Sequence, residues 1–456
     1  MSARFEGSEI SRALGLAPTD RRVRFDSIST DTRTLTRGAL FVALSGENFD
    51  GVEFLEQAAR KGAVGAVVPA GRTLPPLDLQ WYAVPDTTVA LGDIARLYRR
   101  RCAARVIGVT GSSGKTTVKE MLARAIAGER SVHATAGNLN NQIGVPLTIL
   151  AAPPEADVWV LEMGSNAPGE IARLAAIGEP DDALVTTVGP AHLEGFGDES
   201  GVMREKLALV RAAKPAGCVV VGEKPAQLGS SARAIRPDAR VAGLDAGADW
   251  RPDTWGVEAY SCWFERGGVR YEIPVGGEHH LRDGLLAAAM AESIGVAPVT
   301  IARGLSDYRP VGMRGALRQL GGLTVVADCY NANPESFSSA IDYCVSAFPG
   351  RPLTAVVGSM LELGPRSAVA HELVAHALIE AGFDPIVALG EFGPAFDRLS
   401  GIPNGSRFAR AANPASAVET LAAELEGNEV ILVKASRGER LERVVEELEA
   451  RFGEPG

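Results

Sequence analysis

The stretch Gly111-Ser112-Ser113-Gly114-Lys115-Thr116-Thr117 constrains this 456-residue chain more than any other. It follows a short apolar run, Arg105-Val106-Ile107-Gly108-Val109-Thr110, and opens an amphipathic one carrying Val118, Met121, Leu122, Ala125 and Ile126. That order reads as strand, tight loop and helix. Small residues let backbone N–H groups close round an anion at a helix N-terminus, where the helix dipole adds to the attraction. Lys115 supplies a point charge for terminal phosphates, and the Thr116 hydroxyl is placed to hold Mg²⁺. Val109 stands where the general phosphate-loop pattern has its first glycine, so the loop is a shortened form.

Length predicts two to four domains at roughly 150 residues each. A hydrophobic content of 46% and a charged content of 22% describe a globular chain with ample core. The net charge of −10 argues against nucleic acid or an anionic membrane as main partner. Met1 to Glu6 form no apolar signal stretch, and no run approaches the ~20 apolar residues of a membrane span, so a cytoplasmic protein is expected. Cys102, Cys218, Cys262, Cys329 and Cys344 are scattered without a Cys-x-x-Cys spacing and read as free thiols, mostly buried. Of the 46 basic residues only seven are lysines. Lysine can lose its proton and react where arginine cannot, which singles out Lys115, Lys206 and Lys434.

Along the chain, strands at Leu40–Leu44 and Ala63–Val68 enclose a helix over 52–61. The polar loops Ser29-Thr30-Asp31-Thr32-Arg33 and Ser45 to Gly51 flank the first strand and suit a ligand site or ordinary turns. A helix over 89–101 ends in Arg99-Arg100-Arg101, read as a solvated, dipole-complementing end that closes this region. From Arg105 strands alternate with helices, the pattern of a mostly parallel sheet covered on both faces. The amides Asn138, Asn140, Asn141 and Gln142 suit either substrate orientation or Asx turns before a helix. A strand over 157–161 delivers Glu162 at its C-terminal end, a natural Mg²⁺ ligand beside a phosphate loop. His192 follows another strand, over 182–188, and reads as structural or as a ligand; Lys206 lies in an apolar helical stretch, snorkelling or functional. A β-rich section spans 249–274, a helix covers about 281–294, and Tyr308 to Gly315 reads as a linker to a last α/β region. There the strands over 323–328, 353–357 and 430–433 each present polar residues at their ends.

These motifs together resemble the Mur ligase family, ATP-dependent enzymes that form amide bonds in peptidoglycan precursor synthesis. The resemblance runs through Ser-Thr-Asp-Thr-Arg at 29–33, Leu-Phe-Val-Ala-Leu-Ser-Gly at 40–46, the phosphate loop at 110–120 and Gly-Asn-Leu-Asn-Asn-Gln-Ile-Gly-Val-Pro at 137–146. It continues through Glu-Met-Gly-Ser-Asn at 162–166, Ala-His-Leu-Glu-Gly-Phe at 191–196, Asp-Cys-Tyr-Asn-Ala-Asn-Pro-Glu-Ser at 328–336 and Met-Leu-Glu-Leu-Gly at 360–364. Within the family the motifs are most similar to the branch that joins D-alanyl-D-alanine to UDP-N-acetylmuramoyl-tripeptide. The Asp-Asn-Pro-Arg and Thr-Pro-Asp signatures of the branch that adds a single diamino acid are not found. A catalytically dead scaffold or nucleotide switch is disfavoured by intact Lys115, Glu162, His192 and Lys206.

The resemblance implies an α/β protein of three domains. They are an N-terminal UDP-sugar-binding domain (1–103), a central phosphate-loop ATPase domain of mostly parallel sheet (104–312) and a C-terminal Rossmann-like domain (313–456) that closes over ATP. It implies ATP and Mg²⁺ as cofactors, with Thr116, Glu162 and His192 at the metals and Lys206 carbamylated so that it too binds metal. Gly111 to Thr117, Arg314, Asp328 and Asn331 would meet ATP, and Lys434 with Ser436 lies in the family's C-terminal signature. Ser29, Thr30, Asp31, Arg33, Leu44, Gly46 and Asp50 would meet the UDP-sugar; Asn138, Asn140 and Asn141 would orient substrate. The expected partners are the two peptide substrates, with a monomeric protein. Two positions depart from the family pattern. His280 and Asp283 stand on the adenine side where two asparagines are usual, and Val52 follows Asp50-Gly51 where histidine is common.

Overall fold

The computed structural model describes residues 4–18, 21–46, 49–190, 193–399 and 407–453. Three parallel or mostly parallel sheets follow one another along the chain. The first pairs Ser27–Ser29, Ala39–Val42, Gly65–Pro69 and Gln80–Val84 in that spatial order, all parallel. The expected helix over 52–61 enters through a 3-10 turn, Gly51–Phe54, before the α-helix Leu55–Arg60.

The central sheet runs Val132–Ala134, Val158–Glu162, Arg105–Thr110, Asp182–Val185, Val219–Gly222, Arg240–Ala242, again all parallel. Its four inner strands are near-continuous buried runs, as two-sided burial requires. Chain order reverses beside Arg105–Thr110, since crossovers leave it for both sides of the sheet. Such a switch point opens a crevice at the carboxyl ends of the strands, where the phosphate loop and Glu162 emerge. The strand expected over 182–188 stops at Val185, because residues 186–189 turn to bond the phosphate loop instead. The β-rich section is a three-stranded antiparallel sheet, Thr254–Val257, Cys262–Arg266 and Val269–Ile273. It shares a core with the helices Lys115–Ala127 and Glu278–Ser293.

The last sheet has the order Ala316–Leu320, Leu323–Asp328, Val430–Lys434, Leu353–Val357, Phe383–Ala388, Phe408–Arg410. Only the first strand is antiparallel to its neighbour.

The helix Thr87–Arg99, capped by the Asp86 carboxylate on the Thr88 and Val89 amides, joins the first two sheets. Tyr98 stacks on Trp159 with centroids 6.2 Å apart, and its hydroxyl donates to the Ala152 carbonyl at 2.7 Å. Of the arginine cluster, Arg100 and Arg101 are exposed as a solvated helix end requires, and Arg99 departs from that expectation. Arg99 is buried, donating to the Gly178 carbonyl (3.0 Å) and pairing with Asp181 (3.0 Å), while Arg96 and Arg100 converge on Glu179 at 2.9 and 2.6 Å. The cause is that this helix end abuts the C-terminus of helix Glu170–Gly178, whose last carbonyl and flanking carboxylates attract cations. All five cysteines are free, four buried and Cys218 half-buried. No helix among the described residues is long and apolar enough to cross a membrane.

Candidate active site

The phosphate loop occupies the turn between Arg105–Thr110 and Lys115–Ala127, and two of its glycines are required by space as well as by conformation. A Cβ on Gly111 would lie 1.9 Å from Thr186 Oγ1, and one on Gly114, at φ 78°, would lie 2.4 Å from Asp283 Oδ1. The loop is laced to the next strand's end: Ser112 N donates to the Thr187 carbonyl (2.8 Å), Gly189 N to Ser112 Oγ (3.0 Å), and Thr186 Oγ1 to the Ser113 carbonyl (2.5 Å). Lys115 folds back so that Nζ donates to the Gly111 carbonyl at 2.7 Å. Burial lowers its pKa, opposed by Glu162 and reinforced by Arg314.

Glu162, the last residue of its strand, is 1% exposed and spans two elements. Its Oε2 accepts from Thr116 Oγ1 at 2.8 Å and its Oε1 from Asn140 Nδ2 at 2.7 Å. Hydroxyl and carboxylate oxygens side by side at a helix N-terminus form a hard donor set that suits Mg²⁺. Of the three asparagines, Asn140 thus reaches the carboxylate. Asn141 forms an Asx turn on the Ile143 and Gly144 amides, and Asn138 lines the cavity.

Lys119 was not among the lysines that the sequence singled out, yet it is fully buried. Nζ donates to Glu120 (2.5 Å) and to the Thr135 carbonyl (2.7 Å), while Thr135 Oγ1 accepts from Glu162 N at 2.9 Å. Its signal was the rarity of lysine in the chain. Lys206, in the helix Glu199–Ala212, is 1% exposed, donates to Ser165 Oγ at 2.8 Å and sits 5.7 Å from the Phe196 ring centre. Burial, with Lys115 adding to it, lowers its pKa to about 7. His192 lies outside the described residues.

The C-terminal sheet faces this crevice across a cavity of about 1640 Å³. The capping residue of helix Pro334–Ala347, Asn333, donates through Nδ2 to Ser113 Oγ at 3.3 Å, so the last unit touches the phosphate loop directly. Arg314 stacks 3.8 Å from the centre of Tyr330, and Asp328 pairs with buried Lys434. Asn331 turns its Oδ1 onto the Ala332 amide at 2.9 Å. His280, beside the linker, bonds the Gly276 carbonyl through Nδ1 at 2.7 Å, and burial lowers its pKa. Burial drives the Asp283 carboxyl well above its usual range, with Glu335 adding to the effect, and burial also raises Glu335. Both acids beside the loop are thereby pushed toward their neutral forms, which do not repel phosphate.

The residues expected to meet a UDP-sugar gather elsewhere, at the carboxyl edge of the first sheet. Ser29 Oγ donates to the Asp31 carbonyl (3.0 Å), with half-buried Thr30 between them, and Asp31 pairs with Arg33 at 2.7 Å. Leu44 is buried and offers its carbonyl to Gly51 N at 2.8 Å. Gly46 pairs with Phe49, and Asp50 accepts from Ser45 Oγ and Val52 N, each at 3.1 Å, and pairs with Arg72. Thr88 is the N-terminal region's contribution to the 1640 Å³ cavity among the described residues. Asn333, Tyr330 and Glu335 lie within the motif at 328–336, but nothing in the sequence named the distant groups that each would meet.

Three family models match successive stretches: "Mur ligase family, catalytic domain" over 24–99, "Mur ligase middle domain" over 109–291 and "Mur ligase, glutamate ligase domain" over 313–437. The UDP-N-acetylmuramoyl-tripeptide--D-alanyl-D-alanine ligase of Escherichia coli (strain K12) is 36% identical over 434 residues, 94% of each chain. A crystal structure of MurF from Acinetobacter baumannii matches with a TM-score of 0.87 at 28% identity, covering 98% of this chain and 99% of that one. The MurF ligase of Thermotoga maritima in complex with ADP matches with a TM-score of 0.82 at 30% identity, covering 93% and 98%. Likeness that extends through all three sheets and both faces of the cleft has one reading: the chain belongs to the Mur ligase family.

Proposed function

We propose that this chain ligates D-alanyl-D-alanine to UDP-N-acetylmuramoyl-tripeptide with ATP, giving the UDP-N-acetylmuramoyl-pentapeptide, ADP and phosphate. The observation that carries this is a preformed phosphate loop, with Glu162 against Thr116, in a chain 36% identical to a ligase of that name over 94% of both. The division of labour follows the three sheets: residues 1–103 hold the UDP-sugar, 104–312 hold ATP, and 313–456 close over it. A monomer working in the cytoplasm completes the reading.

The tripeptide carboxylate attacks the γ-phosphorus of ATP, and the bond to the ADP oxygen breaks, leaving an acyl phosphate. The dipeptide amine then attacks the acyl carbon, and phosphate departs as the amide forms. Clustered anions oppose the first step, so catalysis here is electrostatic stabilisation and positioning, with no side-chain nucleophile. Lys115 is held over the loop to follow the terminal phosphates. Gly111 to Thr117, with Arg314, Asp328 and Asn331, line the nucleotide's place, and Asn138 and Asn140 face the substrate side. Thr116 and Glu162 would hold Mg²⁺, with His192 at a second ion; magnesium supplies neutralising charge on the phosphate oxygens. A lowered pKa leaves part of Lys206 as free amine, which can add CO₂ and release a proton to become a carbamate; that anion suits a metal where an ammonium does not.

Phosphate release from ATP and Mg²⁺ with UDP-muramoyl-tripeptide tests the reading, comparing added D-alanyl-D-alanine with free diamino acid. Dipeptide-dependent release and a pentapeptide by mass are expected. Release with the diamino acid alone, or none with either, overturns it.

A further inference from the structure

The strands Val132–Ala134 and Val158–Glu162 are parallel neighbours that end together beside the phosphate loop. Along a parallel ladder the bonds recur at every second residue of each strand. Val158 N donates to the Ser131 carbonyl at 3.1 Å, so two steps on the same ladder would give Glu162 N the Thr135 carbonyl. The structure makes a different pair. The carbonyl of buried Thr135 accepts from Lys119 Nζ at 2.7 Å, and the Thr135 hydroxyl takes the Glu162 amide at 2.9 Å. The edge strand therefore leaves the sheet at Thr135, and the chain beyond it crosses the crevice. There Asn140 reaches Glu162 Oε1 at 2.7 Å, and its carbonyl accepts from Gly164 N at 2.8 Å.

Lys119 belongs to the helix that the phosphate loop opens, three residues past Thr116. Residues three apart on a helix lie side by side. One face of that helix thus grips two adjacent strand ends: Thr116 Oγ1 holds the Glu162 carboxylate at 2.8 Å, and Lys119 holds the threonine that fixes the Glu162 amide. Lys119 is fully buried and pairs with Glu120 at 2.5 Å, so it brings no net charge to the cleft. Its contribution is direction. A guanidinium in the same place would carry five N–H donors to satisfy, which accounts for a lysine in a chain that otherwise favours arginine. Among the described residues, neither Lys119 nor Thr135 lines the 1640 Å³ cavity; both lie beneath it.

The ligase reading puts magnesium at Thr116 and Glu162. On that reading, we infer that Lys119 is a positioning residue for the magnesium–nucleotide complex. Acting through Thr135, it sets where the Glu162 carboxylate stands and where the chain carrying Asn140 departs.

The dissociation constant of ATP, measured by calorimetry on the full chain with excess Mg²⁺ and again with a chelator, tests this. For Lys119→Met the constant with Mg²⁺ should rise roughly 10- to 100-fold, the usual cost of losing a group that orients a metal ligand. The constant without the ion should stay near that of wild type, because the loop's amides hold phosphate unaided. Thr135→Val should show the same split, and Thr135→Ser, which restores the hydroxyl, should recover most of the loss. An unchanged constant with Mg²⁺, or equal rises with and without it, overturns the inference and leaves the ligase reading intact. Should Lys119→Met fail to fold, Lys119→Gln, which keeps a donor on a shorter stem, carries the same measurement. Failure of both to fold overturns the inference by making the lysine a general support of the fold. A wild type that binds no ATP under either condition overturns the ligase reading as well.

Discussion

Around the phosphate loop, polar side chains find partners far along the chain: Thr116 on Glu162, Ser112 on Gly189, Asn333 on Ser113. At the edge of the first sheet the partners are nearer and wetter. Asp31 pairs with Arg33, whose side chain is 86% exposed, and Asp50 with Arg72, 50% exposed. Buried networks in a low-dielectric site are costly to disturb and fix geometry in advance. Exposed ion pairs contribute about 0–1 kcal/mol, so a ligand's charge can replace one partner at little cost. The contrast separates a region built to act on a reacting group from one built to hold a handle.

The sharpest way to break that contrast is Lys115→Ala. On the preorganised side kcat should fall by roughly 100- to 1000-fold or more, with thermal unfolding little changed; retention of most of kcat would remove the basis of the comparison. Next, Lys206→Ala should lose roughly 10- to 100-fold in turnover and regain part of it with a short-chain carboxylate that replaces the carbamate. Full activity of Lys206→Arg would exclude that role. A smaller effect belongs to Asp283, whose folded pKa is raised by burial. Between the unfolded and folded pKa values the native state binds more protons, so wild-type stability falls as pH rises through that window. Asp283→Asn should therefore raise Tm at neutral pH, and the gain should vanish toward pH 4; a gain independent of pH would contradict the assignment. The smallest effect is expected at the outer edge. Asp50→Asn should change stability by no more than about 0.5 kcal/mol while raising the KM for the UDP substrate.

The phosphate loop and Glu162 were legible because strand, turn and helix signals lie within a few residues of the chemistry. Lys206 was legible because lysine is scarce in the chain. Arg99 was not, since the carbonyl and carboxylate that bury it lie about 80 residues on, and nothing near 99 announces them. His280 also looked available, yet its Nδ1 is taken by the Gly276 carbonyl, a contact within its own helix entry. Asn333 illustrates both limits. Its capping role follows from the Asn-Pro-Glu-Ser pattern, whereas its reach to Ser113 depends on how two sheets meet.

The stacking of Tyr98 on Trp159 bears on how the molecule melts. Phe5, Phe25, Tyr98 and Trp159 belong to one continuous hydrophobic cluster that spans the first two sheets. Removing the N-terminal region would strip an aromatic lid from Trp159 and leave the central sheet with a greasy, aggregation-prone face. The first two sheets thus share one core, so a substitution on either side of the Tyr98–Trp159 contact is felt by both.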